Sequence, residues 1–220
     1  MFSSPFPTTI SFFCGNISSK TDINLTFEEK KILRTLISSK RKAEFSLGRL
    51  CAHQALSKFE LESFPILRNP KTREPVWPES IRGSITHSGN FAAVAVGLAK
   101  DISGVGIDLE DLSREVNFNI SKYVCVKEEL EWLERFDFER ANRNLRIIFS
   151  AKETIFKCFF PLTKTHLKFK DACVRINENS SNFSFTLSRK CSDNYRIGFK
   201  HQGSYSIKDN FLLTSMYIKN

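Results

Sequence analysis

The spacing of hydrophobic positions is helical in the first quarter of the chain. Residues 27–36 (FEEKKILRTL) begin with acidic side chains and continue with apolar residues three and four apart, which predicts an amphipathic helix. Residues 41–59 (RKAEFSLGRLCAHQALSKF) predict a second helix with an apolar inner face. On this helix we expect Arg41, Glu44 and Arg49 to reach solvent, because charged side chains are rarely buried.

The next segment changes to the alternation that is typical of strands. Residues 84–88 (SITHS) and 91–99 (FAAVAVGLA) are joined by a short Gly-Asn turn, which predicts a β-hairpin. Residues 104–110 (GVGIDLE) predict a further strand. Residues 67–78, upstream of the hairpin, contain three prolines and are expected to form a loop.

The second half of the chain repeats this order of helices followed by strands. Residues 127–136 and 145–160 predict helices, and we expect Phe149, Phe156 and Phe160 on the buried side of the second. Four later segments alternate as strands do, namely ACVRIN (172–177), NFSFTLS (182–188), YRIGFK (195–200) and FLLTSMYI (211–218).

This order of elements predicts an α+β protein with two similar-sized subdomains, residues 1–103 and 104–220. No apolar run approaches the roughly 18–20 residues that a membrane-spanning helix needs. The N-terminal residues lack the basic start and apolar block of a signal peptide. We therefore expect a cytoplasmic protein that does not associate with membranes.

Composition restricts the classes of function. The six cysteines are scattered and form no CxxC pair, so neither a zinc site nor a thioredoxin-like motif is supported. The formal net charge of +9 favours an anionic partner, which could be nucleic acid, a phosphorylated cofactor or an acidic protein. Nucleic acid is the least supported of the three, because the sequence has no aromatic–basic RNA motif and no zinc finger.

Three short motifs contain residues that could perform chemistry. Asp108 and Glu110 lie two apart on a predicted strand, so both side chains project from one face, where they would repel each other unless a cation such as Mg²⁺ binds them. The alternative is a strand end with solvated acids.

The second motif, FSAKETIFK (149–157), places Glu153 and Lys157 one helical turn apart, with Lys152 beside them. Glu153 could be a third metal ligand and the lysines could bind phosphate, although an exposed ion pair would have the same spacing. In the third motif, SITHSGN, His87 could donate to a phosphate or could be a turn histidine that is bonded to the backbone.

Taken together and in this order, the motifs resemble those of one enzyme family. RKAEFSLGRLCAHQAL is similar to an R-x-x-E-F-x-x-G-R helix of that family, and REPVWPESIRGSITHS is similar to its P-x-W-P…G-S-x-T-H-S segment. With GVGIDLE and FSAKExxxK, they resemble the 4′-phosphopantetheinyl transferases of the surfactin-synthetase-activating type, in particular the enterobactin synthetase component D branch. The resemblance covers residues 40–160.

The resemblance implies a pseudo-dimer, in which two α/β halves of one monomeric chain bind coenzyme A (CoA) in the cleft between them. It implies transfer of the 4′-phosphopantetheine arm of CoA to a serine of an apo carrier protein, with release of 3′,5′-bisphosphoadenosine. The carrier would be a peptidyl, aryl or acyl carrier domain, and its acidic surface would suit the basic chain. The pathway could make a siderophore, another peptide, a polyketide or a fatty acid.

The resemblance also implies the site residues. Asp108, Glu110 and Glu153 would ligate Mg²⁺ or Mn²⁺, with Asp108, Glu153 and Lys157 as the catalytic residues. Glu153 would help to deprotonate the serine, directly or through water. The side chains implied to contact CoA are Arg41, Arg49, Arg73, His87, Ser88, Lys152 and Lys157. For Glu128, Glu129 and Glu131, of which one could be functional, we expect a solvated helix face.

Two other classes of protein explain part of the pattern. A metal-dependent nuclease would also use acids and a lysine, but typically as E-x-K on a strand, whereas here Lys152 adjoins Glu153 in a predicted helix. A non-catalytic module that binds acidic proteins would not need Asp108, Glu110 and Glu153 together.

Overall fold

The computed structural model describes residues 2–16 and 25–220. The first helix, α1 (Phe27–Thr35), begins at a capping box in which Thr26 and Glu29 exchange side-chain and backbone hydrogen bonds of 3.0 and 3.3 Å. The second, α2 (Ser39–Leu56), continues into a 3₁₀ turn at Ser57–Phe59. Both helices were predicted from the sequence.

The first sheet has three antiparallel strands in the order β1-β5-β4. The predicted hairpin is confirmed as β4 (Ile81–Ser88) and β5 (Phe91–Leu98), and Gly89 takes the positive φ that the tight turn requires. Strand β1 (Ile10–Asn16) was not predicted. The predicted loop contains a short ladder of β2 (Leu67–Arg68) with β3 (Pro75–Val76).

Helix α2 packs on β1 and β5, and its inner face forms the core of this part of the chain. Glu44 and Arg49 are 8% and 7% exposed, so the expectation that they reach solvent was wrong, whereas Arg41 is exposed as expected. Each buried charge has a partner, because Glu44 contacts Arg41 and Arg49 donates to the carbonyl oxygen of Ile66.

The second sheet has five strands in the order β6-β10-β9-β8-β7. Its strands are β6 (Ile102–Asp111), β7 (Ala172–Asn177), β8 (Asn182–Leu187), β9 (Lys200–Lys208) and β10 (Phe211–Lys219). The prediction of a strand over residues 195–200 was wrong except for Lys200, which begins β9. Gly198 has a φ of +85° there and its N–H donates to Leu187 O, which makes a turn before β9.

Three helices accompany this sheet: α3 (Ser121–Val124), α4 (Lys127–Leu133) and α5 (Phe138–Thr163). Helix α5 begins earlier than predicted because the side chain of Asp137 caps it by accepting from Arg140 N at 2.9 Å. Its buried face contains Ile148, Ala151, Ile155 and Phe159. The predicted face of Phe149, Phe156 and Phe160 is only half-buried, so that assignment was wrong.

The fold class is therefore α+β, as predicted. The chain divides into two compact units, Met1–Ile107 with Tyr217–Asn220, and Asp108–Met216. The sequence put a single division at residue 103. The final residues belong to the first unit, where the Asn220 side chain donates to Ala99 O at 2.8 Å and its backbone N–H donates to Asp101 O. Among the described residues, the helices are too short or too polar to cross a membrane.

Candidate functional site

Strand β6 places Asp108 and Glu110 on one side and the apolar side chains on the other. Val105, Ile107 and Leu109 are each at most 2% exposed, which confirms that they hold the strand in the core. Asp108 is itself 4% exposed, and Glu110 is half-buried. The strand therefore holds two carboxylates on one face at limited access to water.

Helix α5 supplies the partners of Asp108. One carboxylate oxygen accepts from Lys157 Nζ at 2.6 Å, and the other accepts from Ser150 Oγ at 2.8 Å. Ser150 continues into a chain of hydroxyl groups, with Thr214 at 2.8 Å and then Thr154 at 2.7 Å. Lys157 was predicted as a site residue, whereas Ser150 was not.

Arg146 is a second side chain that the sequence interpretation missed. Its guanidinium lies 3.8 Å from the Glu110 carboxylate and donates to the carbonyl oxygens of Leu112 and Arg114 at 3.0 and 2.8 Å. The signal was available, because Arg146, Ser150 and Glu153 are spaced three and four apart within an apolar helix. A polar stripe of this kind indicates that α5 turns one functional face towards β6.

The carboxyl groups of Asp108, Glu110 and Glu153, which we call the acid cluster, affect one another electrostatically. Burial raises the pKa of Glu110 to about 7, with Asp108 and Glu153 adding to the effect and Arg146 and Lys157 opposing it. Burial also raises the pKa of Glu153, with Lys157 opposing and Asp108 adding. The acid cluster thus has an excess of buried negative charge that a cation would relieve.

The chemistry of this donor set fits Mg²⁺, which prefers a few carboxylate oxygens and retains water or phosphate in its other positions. As the side chains stand, however, no three His, Cys, Asp or Glu residues in the described ranges 2–16 and 25–220 are placed to hold a metal ion together. Lys157 occupies one oxygen of Asp108, and its ammonium supplies the positive charge there.

Lys152 lies in a different environment from the one predicted. Its ammonium is buried and donates to the Glu129 carboxylate at 2.7 Å and to Val124 O at 2.8 Å. Glu129 is 2% exposed and also accepts from the backbone N–H groups of Val126 and Val174. The solvated face expected for Glu129 was therefore wrong.

The other two acids of α4, Glu128 and Glu131, are exposed as expected. The Lys152–Glu129 pair connects α4, α5 and β7, and burial raises the pKa of Glu129 while Lys152 opposes the shift. Because the Lys152 ammonium already has these partners, we do not expect it to bind phosphate.

An apolar pocket of about 400 Å³ opens beside the acid cluster, and Glu153 is part of its wall. Its other walls include Tyr123, Phe156, Leu167 and Phe169. Of the three half-buried phenylalanines of α5, Phe156 faces this pocket.

A second pocket, of about 180 Å³, lies in the first unit and is lined by basic side chains; we call it the arginine pocket. The predicted residues that line it are Arg41, Arg49, Arg73 and His87. Ser88, which lies opposite Phe91 in the hairpin, is outside the lining. Arg68 lines the pocket but was missed, although it stands among basic residues in the predicted loop.

The basic side chains that line the arginine pocket outnumber the carboxylates beside them. Glu44 lies 3.1 Å from the Arg41 guanidinium and 4.0 Å from His87 Nδ1. The Arg49 guanidinium stacks over Phe45, 4.3 Å from the ring centroid, and burial lowers its pKa to about 10, so it stays charged at neutral pH. Burial, with Arg73 and Arg41 adding to it, also lowers the pKa of Arg68. The arginine pocket is therefore suited to an anion.

Comparison with known proteins agrees with this chemistry. Residues 28–97 match the family described as 4′-phosphopantetheinyl transferase N-terminal domain, and residues 104–210 match the 4′-phosphopantetheinyl transferase superfamily. The chain belongs to the 4′-phosphopantetheinyl transferase family. The resemblance stated from the motifs is thereby confirmed.

Two of three individual relatives carry the same family name. The chain is similar to 4′-phosphopantetheinyl transferase Svp of Streptomyces mobaraensis, with 32% identity over 75% of this chain and 67% of the relative. It is similar to the transferase Npt of Nocardia iowensis, with 29% identity over 86% of each chain. It is similar to enterobactin synthase component D of Escherichia coli (strain K12), with 33% identity over 54% of each chain.

Proposed function

We propose that this protein is a monomeric, cytoplasmic enzyme that transfers the 4′-phosphopantetheine arm of CoA to a serine of an apo carrier protein. The observation that carries the proposal is the acid cluster on β6 and α5, in a chain of the 4′-phosphopantetheinyl transferase family. The released product is 3′,5′-bisphosphoadenosine. The net charge of +9 supports acidic carrier domains as partners, and nucleic acid is not a substrate in this proposal.

The arginine pocket binds the phosphates at the nucleotide end of CoA. Arg41, Arg68 and Arg73 are exposed cations around it, and Arg49 is a buried cation in its lining that donates through Nε to Ile66 O. Arginine presents several N–H donors in a planar fork that matches phosphate oxygens. His87 adds a further ring nitrogen for the same anion.

The acid cluster would hold Mg²⁺ through Asp108, Glu110 and Glu153, and the bound ion would supply positive charge for the pyrophosphate oxygens. Lys157 lies at the same carboxylate, so its ammonium donates to a phosphate oxygen as charge develops on the leaving group. Ser150 keeps Asp108 oriented through the 2.8 Å hydrogen bond.

Glu153 takes the proton in this proposal. The carrier serine oxygen attacks the phosphorus that bears the pantetheine arm, the bond from this phosphorus to the bridging oxygen breaks, and the serine proton passes to Glu153, directly or through one water. The bridging oxygen leaves with 3′,5′-bisphosphoadenosine. The raised pKa of Glu153 supports this role, because a base is most effective when its pKa lies near the working pH.

The apolar pocket beside Glu153 accommodates the pantetheine arm. The aromatic and aliphatic part of its lining, which also contains Lys168 and Lys170, suits the uncharged gem-dimethyl and amide parts of the arm. A volume of about 400 Å³ is within the range of small-molecule sites.

The proposal is tested by intact-protein mass spectrometry of apo carrier domains after incubation with this protein, CoA and Mg²⁺. We expect the mass gain of one phosphopantetheine group, its loss with a chelator and its loss with Asp108→Asn. A peptidyl, an aryl and an acyl carrier domain would be compared to identify the preferred class. Absence of a mass gain on all three, with no CoA binding in calorimetry, would refute the proposed function.

A further inference from the structure

His53 is a buried histidine whose two ring nitrogens both face hydrogen-bond acceptors. Nε2 lies 2.9 and 3.1 Å from the two carboxylate oxygens of Glu29, and Nδ1 contacts the carbonyl oxygen of Glu62. A neutral imidazole has one donor and one acceptor nitrogen, whereas the protonated ring has two donors. Both Glu29 oxygens accept from backbone N–H groups, which favours the ionised carboxylate. Beside an ionised Glu29, only the protonated ring satisfies both contacts, so the geometry selects the imidazolium.

Glu29 and its neighbours fix the backbone of Ile66. The Glu29 carboxylate is 0% exposed and accepts from Ile66 N at 2.9 Å and from Thr26 N at 3.0 Å. The carbonyl oxygen of Ile66 accepts from Arg49 Nε at 2.8 Å. Both polar backbone groups of one residue are thus held by buried charged side chains.

Ile66 stands directly before β2, and β2 and the turn that follows it contain two arginines of the arginine pocket. Arg68 ends β2, and its Nε donates to Arg73 O at 3.2 Å. The turn between β2 and β3 is closed by a bond from Arg73 N to Asn69 O at 2.9 Å. The position of Ile66 therefore determines where this small ladder and its two guanidinium groups lie.

We propose that the Glu29–His53 pair is a proton-dependent device that positions the arginine pocket, and that loss of the His53 proton weakens CoA binding. The inference rests on the proposed function, because it takes the arginine pocket as the site of the CoA phosphates. His53 touches no substrate in this account and acts through Ile66.

The charges around His53 set the pH range of the device. They are the Glu29 carboxylate of α1, Arg49 of α2 and the carbonyl dipole of Glu62. Burial and Arg49 lower the pKa of His53, but the contacts to Glu29 and Glu62 outweigh them and raise it above the ordinary 6.5. Burial opposes ionisation of Glu29, yet the bonds from His53, Thr26 and Ile66 lower its pKa below the ordinary 4.5.

The sign of the effect follows from these two directions. The contribution of His53 is complete below 6.5 and is lost as the pH rises through its folded-state pKa. The contribution of Glu29 is complete above 4.5 and is lost as the pH falls through its own folded-state pKa. The device is intact between the two folded-state values.

The test combines an NMR titration of the His53 ring with calorimetry of CoA binding below and above the pKa found. The variant His53→Gln assigns the NMR resonance of the His53 ring, because that resonance disappears in it. Glutamine cannot carry the positive charge of the imidazolium. The variant His201→Gln in the second unit controls for removal of a histidine. We expect the Kd for CoA of the wild-type protein to rise roughly three- to tenfold as His53 loses its proton, because a charge-assisted bond is replaced by a neutral one.

His53→Gln should show the weaker affinity at both pH values, with a raised KM for CoA and an unchanged kcat, while His201→Gln follows the wild type. Because all variants bind the same CoA, comparison between them at each pH cancels the effect of protonation of CoA itself on the Kd. A measured pKa of His53 at or below 6.5 would overturn the proposal that the Glu29–His53 pair is a proton-dependent device. Identical pH profiles for wild type and His53→Gln would overturn the positioning role and leave the proposed function standing. Absence of CoA binding throughout would overturn both.

Discussion

The variant Lys152→Met tests whether Lys152 is structural, as its contacts indicate, or binds phosphate, as the motif implies. In the structure its ammonium pairs with Glu129 at 2.7 Å, and the two side chains are 2% and 1% exposed. Methionine keeps the length of the side chain but removes the charge. Glu129 then remains buried beside an apolar group, with only the N–H groups of Val126 and Val174 as donors.

The loss in the free energy of unfolding that Lys152→Met causes can be worked out from this environment. Breaking a buried pair by removing one partner destabilises a protein by about 3–5 kcal/mol, because the remaining charge is uncompensated. For a chain of this size each kcal/mol lowers Tm by about 2–4 °C, which gives a decrease of about 6–20 °C. Glu129→Gln added to Lys152→Met removes both charges and should restore about half of the loss.

The assay is urea denaturation with calorimetric Tm, accompanied by CoA binding at a temperature where every variant is folded. Lys127→Met is the matched control on the neighbouring helix. It breaks the exposed pair of Lys127 with Glu131, 85% and 56% exposed, and should cost less than about 0.5 kcal/mol. A loss below about 1 kcal/mol for Lys152→Met, together with weaker CoA binding, would refute the structural role and support the motif-based one.

Three further predictions concern the acid cluster. Asp108→Asn should reduce transfer at least a thousandfold, on the order of a lost catalytic group, with the fold retained in circular dichroism; a folded variant with full activity would exclude Asp108 from the chemistry. Lys157→Ala should raise the KM for CoA about tenfold because a phosphate contact is lost, and unchanged CoA dependence in steady-state kinetics would refute this role. Because burial raises the pKa of Glu110 to about 7, its contribution to stability is complete below 4.5 and is lost as the pH rises through 7. Mg²⁺ should therefore raise Tm more above pH 7 than at pH 5, and equal shifts at both pH values would contradict the metal assignment.

The sequence predicted those features whose cause lies within a short segment. Helix α1 was predicted because its acidic start and apolar spacing lie in one segment, and the hairpin because a turn signal separates two apolar runs. Strand and helix periods place Asp108, Glu110 and Glu153 on definite faces, and the family resemblance implies that they act together as metal ligands. The structure supports these faces with local geometry.

The features that were missed depend on distant partners. The burial of Arg49 depends on Ile66, which lies 17 residues away, and that of Glu129 depends on Val174, 45 residues away. A periodicity argument treats a charged residue as exposed because it cannot include such partners. Strand β9 began later than predicted because the backbone turn at Gly198 outweighs the alternation of the side chains before it.

The order of the second sheet has a consequence for how the protein is made. Strand β10 lies between β6 and β9, although it follows both of them in the chain. Strand β6, which carries Asp108 and Glu110, therefore emerges from the ribosome about a hundred residues before the strand that it pairs with. Until residues 211–219 have been synthesised, β6 lacks the strand that it pairs with, so nascent chains are vulnerable to aggregation at this strand.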